Sequence, residues 1–500
     1  MDILYLIFIF AVSFIFRISV RIFYPNYTGS DTYFHLYFIS HIRKHNGLDF
    51  YEDSKFIKPS NFYYPWLTHQ LISKLPQKYD TLVEKYFNSL LDTIYTIILY
   101  LVTFYITRSN NLAFEVALLY IFLPLCFTVQ TLGPRIHSFT PRLFGEITAS
   151  LVFIFEYLYF ENTDTIYLIF ATICVVLVIL SSRFSLQALL FVTLISFFFN
   201  FDFELFIPVF AGFTIFLTIY GKNGIKLLEN HYYHMKIFFK NHNEKKSFIS
   251  ANNSLKTLIK SLKSGSIIHL YSYLIYQNTL SSLLIKAPII ILFLFLASNY
   301  NFNNYQYIFA FSGIIVFIIV SIKPLLFLGE AERYINHIIF FILLGCVDYL
   351  DTHHRIFIFF ILYGILFFIL DFIYLSKYLS KQYSNTVIAR LKKFDKVYNV
   401  FSIPPNLSGS WKIAYETKHN LLHPVQWQNI ADREKFRSFL LEYETIDLTK
   451  IEELIKEYNL DIIVIYKKLL QRKFDNKLII PKGYKLEELD KDIYILLKKI

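Results

Sequence analysis

A carboxylate follows the first apolar run of the sequence almost at once, in the stretch GSDTYFHLYFISHIRKHNG. Asp31 stands just before apolar residues at helical spacing, which predicts a helix lying against a membrane surface with Asp31 at its start. A carboxylate in that place could meet a metal ion or the hydroxyl of an acceptor. The alternative is an N-cap, since an Asp before a helix accepts hydrogen bonds from free backbone N–H groups and then needs no further role.

The same loop carries more groups of this kind. Asp49, Glu52 and Asp53 form an acidic cluster, and carboxylate oxygens suit Mg²⁺ or Mn²⁺. His35, on the predicted helix, is a further candidate for contact with a metal or an acceptor. In FYYPWLTH, His69 could contact substrate, although a proline-started helix with aromatic anchors is the simpler interpretation. A solvated loop accounts for the acidic cluster equally well.

Arginine and glutamate recur at the start of later apolar runs. The stretch GPRIHSFTPRLFGEI places Arg142 and Glu146 before one run, and SSRFSLQ places Arg183 before another. Arginine suits phosphate because its guanidinium donates two parallel hydrogen bonds. An acidic group at the start of a membrane span is costly unless it is paired or used, which makes Glu146 a candidate site residue. For Arg135 and Arg142, snorkelling at a membrane boundary is the alternative.

A third charged stretch, KPLLFLGEAERYINH, precedes another apolar run. Glu332 and Arg333 are neighbours in sequence and point in different directions on a helix, so each needs another partner. We expect Arg333 to meet a phosphate, and Glu330 or Glu332 to contact a metal ion or an acceptor. A charge cluster at the membrane boundary, without further function, is the alternative.

The composition predicts the elements that must position these residues. The chain has 500 residues, is 55% hydrophobic and has a mean hydropathy of +0.43, which is more apolar than an average soluble protein. About 20 apolar residues cross a bilayer as a helix, and about eleven such runs occur. They are 3–23, 89–107, 112–129, 147–160, 166–181, 186–199, 203–220, 283–298, 305–322, 335–350 and 356–374. The sequence therefore predicts a polytopic α-helical membrane protein.

Charge and cysteine content argue against nucleic-acid binding and against a cysteine metal site. The net charge is +11, but the basic residues are spread over loops without a nucleic-acid-binding motif. Anionic membrane lipid or a phosphate-bearing substrate is therefore the expected partner. Cys126, Cys174 and Cys346 each lie within an apolar run, which predicts core residues instead of metal ligands. The first run lacks a basic start and a cleavage site, so we expect a retained anchor.

The order of the runs predicts which loops share a face. With eleven spans, the first external loop (24–88), the stretches 131–146, 181–187 and 323–334 and the C-terminal part all lie on one side. The segment 222–263 conflicts with this scheme. It is strongly basic, so the positive-inside rule predicts a cytoplasmic position, whereas the parity of the spans places it outside. The sequence leaves this conflict open.

The last quarter of the chain has shorter apolar runs and more charge. We divide the sequence into a membrane domain, 1–375, and a soluble α/β domain, 376–500, on the external face. Helical patterns occur at 385–396, 432–442 and 448–458, and strand patterns at 397–403, 411–415, 461–466 and 493–497. This alternation predicts a small α/β domain, and it contains no glycine-rich phosphate loop. Docking is its expected role.

With these residues in place, the chain resembles the GT-C superfamily of membrane glycosyltransferases. GSDTYFHLYFISHIRKHNG is similar to the first external loop of oligosaccharyltransferase catalytic subunits, where an essential Asp follows the first span. The resemblance implies that Asp31 is catalytic, that Glu146 is the second acidic position at the fourth span, and that Arg333 meets the donor phosphate. Two features depart from it, since no WWDYG stretch occurs and Glu146 stands alone instead of in a paired DxD.

What the resemblance implies is a membrane glycosyltransferase that takes a sugar from a polyprenyl-phosphate-linked donor. The acceptor would be a lipid-linked glycan, a glycolipid or another molecule on the external or lumenal face, and the anomeric configuration would invert. Arg142 and Arg183 would assist Arg333 at the phosphate, and Mg²⁺ or Mn²⁺ could bind Asp31 and Glu146. A prokaryotic cell membrane is the expected location. The alternatives are a flippase or transporter, and a polymerase or ligase, of lipid-linked glycans.

Overall fold

A computed structural model describes most of the chain. The described residues are 2–24, 31–45, 55–57, 63–128, 139–244, 258–259, 262–263, 265–298, 304–379, 384–403, 408–422, 430–440, 446–466, 480–490 and 493–498. The predicted site residues Glu52 and Asp53, together with Asp49, lie outside these ranges, and so do Arg135 and His137.

Helices make up most of the described structure. Within the described ranges the α-helices are α1 (Ile3–Phe23), α2 (Thr32–His45), α3 (Leu67–Ser73), α4 (Asp80–Thr107), α5 (Asn110–Phe122), α6 (Pro124–Phe127), α7 (Arg142–Asn162), α8 (Ile166–Ser181), α9 (Arg183–Asn200), α10 (Ile207–Asn243), α11 (Ile267–Ser272), α12 (Thr279–Lys286), α13 (Ile289–Ala297), α14 (Tyr305–Val320), α15 (Glu332–Thr352), α16 (His354–Leu379), α17 (Ser384–Leu391), α18 (Ser408–Glu416), α19 (Ile430–Arg437) and α20 (Ile451–Tyr458). The strands are β1 (Asn399–Ile403), β2 (Asn420–Leu421), β3 (Ile462–Tyr466), β4 (Tyr484–Asp490) and β5 (Ile493–Lys498).

The apolar runs of the sequence are helices. Among the described residues, seven helices are long and apolar enough to cross a membrane: Ile3–Phe23, Gln77–Thr107, Arg142–Asn162, Arg183–Asn200, Phe203–Asn243, Glu332–Thr352 and His354–Tyr374. The pair α12 and α13 passes the same test together but is bent by 87°, so it is either a broken span or a re-entrant loop. The helices α5, α8 and α14 are apolar but shorter. Each predicted run thus overlaps one helix or two consecutive helices, and the chain is a polytopic α-helical membrane protein.

The chain forms two compact units. Unit 1 consists of Met1–Pro25, Thr81–Ile225 and Ile249–Ser380, and unit 2 consists of Asn26–Asp80, Lys226–Phe248 and Lys381–Ile500. Unit 2 therefore joins the first loop, the basic segment and the C-terminal part, which are far apart in sequence. Residues Lys226–Phe248 of the basic segment group with the first loop, and the side of the membrane on which this segment lies stays a prediction. Helix α10 contributes to both units and is kinked at Gly221, whose φ of 50° is in the left-handed region that glycine favours.

A charged pair is buried in the helical packing of unit 1. Arg17 of α1 donates from Nε to Asp92 Oδ2 of α4 over 2.5 Å, and both side chains are fully buried. The same guanidinium donates to the carbonyl oxygens of Ile121 and Tyr120, and the Tyr120 hydroxyl donates to Asp92. Two charges in an apolar interior are tolerated only when they are paired and hydrogen-bonded in this way. The pair fixes α1, α4 and α5 against each other.

A sheet organises the C-terminal part of unit 2. Its 5 strands have the order β2-β1-β3-β5-β4, in which β1 runs parallel to β2 and β3, and β5 runs antiparallel to β3 and β4. The run at 461–466 is the central strand β3, buried along its whole length, as the sequence predicts. β5 lies inside the sheet, next to β4, a strand that the prediction missed. Together these strands and the helices confirm an α/β domain.

One predicted strand is wrong. The stretch 411–415 belongs to helix α18, and Trp411 of that helix packs its ring against Phe34 of α2 at a centroid distance of 4.8 Å. The choice between strand and helix is made here by a contact from a distant part of the chain, which a local pattern does not contain. Phe38 of α2 packs on His69 at 4.7 Å. Helix α2 forms as predicted, but protein covers these aromatic side chains instead of a membrane surface.

The first loop also adds to the sheet edge of unit 2. Phe56 pairs with Leu421 of β2 in a parallel bridge, the amide of Ile57 donates to the carbonyl of Leu421 over 3.1 Å, and the Leu421 amide donates to the carbonyl of Lys55 over 2.9 Å. The basic segment is held in the same unit, since Asn230 donates to the carbonyl of Tyr63 over 2.5 Å. Backbone pairing of this kind covers an edge that would otherwise stay open.

Candidate functional site

Three helices of unit 1 begin beside one another. A Cβ at Gly145, near the start of α7, would lie only 2.2 Å from the Cβ of Ser182, the residue before α9, so the two backbones approach closely. Gln187 of α9 donates to the carbonyl of Leu328, just before α15, over 2.9 Å. The starts of α7, α9 and α15 are thus brought together. Helix N-termini present unpaired N–H groups and a positive dipole end, which favour an anion.

Arg333 is positioned at this place by an aromatic ring. Its guanidinium lies 4.7 Å from the ring centroid of Phe184 of α9, and its Nε is 3.8 Å from Glu330 Oε2. The side chain is 3% exposed, so solvent screens its charge little. Gly329 permits the approach, because its φ is 114° and a Cβ there would meet the Phe184 ring at 2.9 Å. A buried guanidinium stacked on a ring is well suited to hold a phosphate.

Glu332 has partners other than Arg333. Its Oε1 accepts a hydrogen bond from Ser282 over 3.1 Å and lies 3.5 Å from Lys286 Nζ, whose side chain is fully buried. The expectation that these neighbours in sequence need different partners matches this geometry. Both carboxylates lie beside a cation, Glu332 near Lys286 and Glu330 near Arg333, so this geometry favours neither of them for a metal ion or an acceptor. Lys286 was not among the predicted site residues, although a lysine within LLIKAPIIILF is itself a signal of a buried role.

The remaining predicted residues of unit 1 flank the same helix starts. Arg142 is the first residue of α7 and Glu146 lies in its second turn, where it is 4% exposed. Arg183 is the first residue of α9, directly after the Ser182 that contacts Gly145. The structure therefore gathers the elements that carry Arg142, Glu146, Arg183, Glu330 and Arg333 at one end of unit 1.

Asp31 belongs to unit 2. It lies in the turn directly before α2, is half-buried, and its carbonyl oxygen accepts the amide of His35 over 3.1 Å. This is the backbone position of an N-cap residue. Both roles considered for Asp31, helix cap and catalytic base, are therefore compatible with its position. One turn later, His35 Nδ1 lies 3.0 Å from His69 Nε2, and both rings are buried. Burial, with His35 as a second cause, holds the pKa of His69 well below 6.5.

A different group has metal-ligand spacing. Among the described residues, the ligand atoms of Glu115, Asp351 and His354 all lie within 4.8 Å of one another. Asp351 is near the end of α15 and Arg333 near its start, so roughly 27 Å of helix separate them at about 1.5 Å per residue. None of the three was predicted as a site residue, because they are far apart in sequence and lie at the ends of apolar runs. Metal binding by Asp31 and Glu146 stays a prediction.

Comparison with known proteins places the fold. No protein-family profile and no curated protein matches the sequence. A solved structure does match: an oligosaccharyltransferase of Archaeoglobus fulgidus, described as a complex with Zn and sulfate. The likeness has a TM-score of 0.56 and 12% sequence identity, and it covers 92% of this chain and 68% of that one. The chain thus has a fold similar to that of this oligosaccharyltransferase.

Proposed function

We propose that the chain is a membrane glycosyltransferase that takes a sugar from a polyprenyl-phosphate-linked donor. The observation that carries the proposal is the meeting of three helix starts, with Arg333 buried against Phe184, in a chain that has an oligosaccharyltransferase fold. A phosphate leaving group gains negative charge as the sugar departs. Preorganised cations and helix N-termini stabilise that charge most where water is scarce.

In the proposed reaction, Asp31 acts as general base on an acceptor hydroxyl. The acceptor oxygen attacks the anomeric carbon from the side opposite the phosphate, the bond to the phosphate oxygen breaks, and the configuration inverts. Arg333, assisted by Arg142 and Arg183, stabilises the departing phosphate. The acceptor would be a lipid-linked glycan or a glycolipid. The missing WWDYG stretch makes transfer to protein asparagine the weaker alternative.

A divalent ion would assist the same step. Glu146 and Glu330 offer carboxylate oxygens on elements that begin beside one another in unit 1, and carboxylate oxygens suit a hard cation such as Mg²⁺ or Mn²⁺. When bound, the ion would neutralise charge on the donor phosphate. Arg333 does this without a metal, so a monophosphate donor would leave with arginine help alone.

The first test is transfer by purified protein in lipid vesicles. The assay supplies polyprenyl-phosphate hexose and a short polyprenyl-pyrophosphate glycan, and mass spectrometry detects the extended product. Arg333→Ala should lower kcat/KM by about 100-fold, the usual effect of removing one charge-stabilising donor. Arg355→Ala is the matched control, because Arg355 is an exposed arginine near the start of α16. Equal activity of the two variants would contradict the proposal.

A second variant separates chemistry from binding. Asp31→Asn keeps the shape of the side chain and can still accept a hydrogen bond from a helix N-terminus. We expect transfer to fall to background while donor binding persists. Wild-type transfer by this variant would show that Asp31 is only a helix cap. Movement of the donor across the vesicle membrane without a new glycosidic bond would instead identify a flippase.

A further inference from the structure

Glu115, Asp351 and His354 meet where α5, α15 and α16 come together. Their ligand atoms, two carboxylate oxygens and one imidazole nitrogen, all lie within 4.8 Å of one another. Asp351 is next to the last residue of α15, and His354 is the first residue of α16. The group lies at the end of α15 opposite Arg333, so it is separate from the proposed transferase site.

The carboxylate of Glu115 is in an unusual state for a buried acid. Glu115 is 8% exposed, and its Oε2 has no hydrogen-bond partner among the described residues. Its carboxylate also forms no ion pair with a described lysine or arginine, and the same holds for Asp351. A buried carboxylate that faces a second carboxylate is costly unless a proton or a cation lies between them. The histidine beside them offers a third ligand.

Helices α5 and α16 are closely packed further along their length, and the turn that carries His354 is hydrogen-bonded. A Cβ at Gly364 of α16 would lie 1.9 Å from the carbonyl oxygen of Phe122, so α16 and α5 approach each other at their backbones. The turn between α15 and α16 is fixed by His353, whose amide donates to the carbonyl oxygens of Tyr349 and Leu350 over 3.0 Å. The His353 ring stacks on Tyr349 at 4.0 Å. The three ligands therefore start from rigid elements and not from a loose loop.

We propose that Glu115, Asp351 and His354 bind a divalent transition-metal ion of the Zn²⁺ class. Zinc accepts both imidazole nitrogen and carboxylate oxygen, whereas Mg²⁺ prefers oxygen alone. Bonds of about 2.1 Å in a tetrahedral site separate the ligand atoms by about 3.4 Å. Rotation of the exposed His354 and the half-buried Asp351 closes that difference, while the buried Glu115 stays in place. Water fills the fourth position, and the ion joins the ends of three helices.

The test is metal binding by the full-length protein. Protein purified in detergent and stripped with EDTA is titrated with ZnCl₂ by calorimetry, and with CoCl₂ while the visible absorption of bound Co²⁺ is recorded. We expect Glu115→Gln, Asp351→Asn and His354→Gln each to weaken zinc binding at this site at least tenfold. His354→Gln should also change the cobalt spectrum, because an imidazole ligand is lost.

Matched controls use exposed residues of the same type. Asp348→Asn and His269→Gln change an exposed Asp on α15 and an exposed His on α11, and neither is in the ligand set. They should bind zinc as the wild type does. Unchanged zinc affinity in the three ligand variants would overturn the proposal. So would an equal rise in melting temperature for Glu115→Gln with and without EDTA, since that identifies a shared proton. Sugar transfer by the ligand variants separates this site from the transferase site.

Discussion

Arg333 shows how one side chain is prepared before any ligand arrives. The Phe184 ring, Glu330 and the glycine turn before α15 hold its guanidinium in a buried place. A long side chain normally loses rotamer freedom when it binds, and a stacked one has lost much of it already. The ring therefore matters as much as the charge.

The role of the ring can be tested by Phe184→Leu. Leucine keeps the apolar bulk but removes the cation–π contact, which is worth about 0.5–2 kcal/mol. We expect the KM for the polyprenyl-phosphate donor to rise roughly 2- to 30-fold in the vesicle assay, with kcat less affected. Phe191→Leu, a change of the same kind further along α9, serves as the control. A KM equal to that of the wild type would mean that Phe184 only fills space.

The His35–His69 pair predicts a pH dependence. The pKa of His69 is held well below 6.5, so the unfolded chain binds more protons than the folded one as the pH falls below 6.5. The free energy of unfolding should therefore decrease from pH 7 towards about pH 5. The melting temperature of His69→Gln should depend less on pH over this range than the melting temperature of the wild type. His45→Gln, at the exposed end of α2, should keep the wild-type slope.

At the scale of elements, the membrane-spanning helices could be predicted from the apolar runs. Every apolar run became a helix because no other backbone satisfies its hydrogen bonds in a bilayer without a partner strand. Trp411 was misassigned because its helix is short and its burial depends on Phe34 in α2. The group of Glu115, Asp351 and His354 could not be predicted for a similar reason, since it forms only when three helices pack together. The pairing of Arg17 with Asp92 also spans distant segments.

The Arg17–Asp92 pair predicts a non-additive effect on stability. Asp92→Leu alone should destabilise the protein by about 3–5 kcal/mol, because it leaves Arg17 buried without its counter-ion. The double variant Arg17→Met with Asp92→Leu should recover most of that loss. Thermal unfolding in detergent measures both. If the double variant were less stable than the single one, the hydrogen bonds from Arg17 to Tyr120 and Ile121 would stabilise the fold more than the ion pair does.

For the whole molecule, the unit that contains the C-terminal sheet extends beyond the C-terminal sequence. Unit 2 also contains Asn26–Asp80, whose residues cover the sheet edge at β2 and the ring of Trp411. The sequence predicted an α/β domain at 376–500 but not this cover, because the order of segments along a chain carries little information about which ones pack together.

Fragments of the chain test whether the first loop stabilises the C-terminal part of unit 2. The fragment 381–500 alone should bind a hydrophobic dye, because Trp411 and the β2 edge are uncovered. A chain that joins 26–80 to 381–500 through a Gly/Ser linker should bind less dye and melt about 3 °C or more higher, a shift of about 1 kcal/mol for a domain of this size. Phe34→Ala in the joined chain should reverse part of the gain. Equal behaviour of both fragments would show that the first loop adds no stability.

Because unit 2 is built from three distant segments, its first segment is synthesised well before its last. About 300 residues separate Asn26–Asp80 from Lys381, so at about 5–20 residues per second the ribosome takes about 15–60 s to supply the partner strands and helix. During that interval Phe34 and Phe56 have no Trp411 or β2 to cover them. The first loop is thus synthesised long before the segments that it packs against. We expect chaperones of the cell to keep it from aggregating until translation ends.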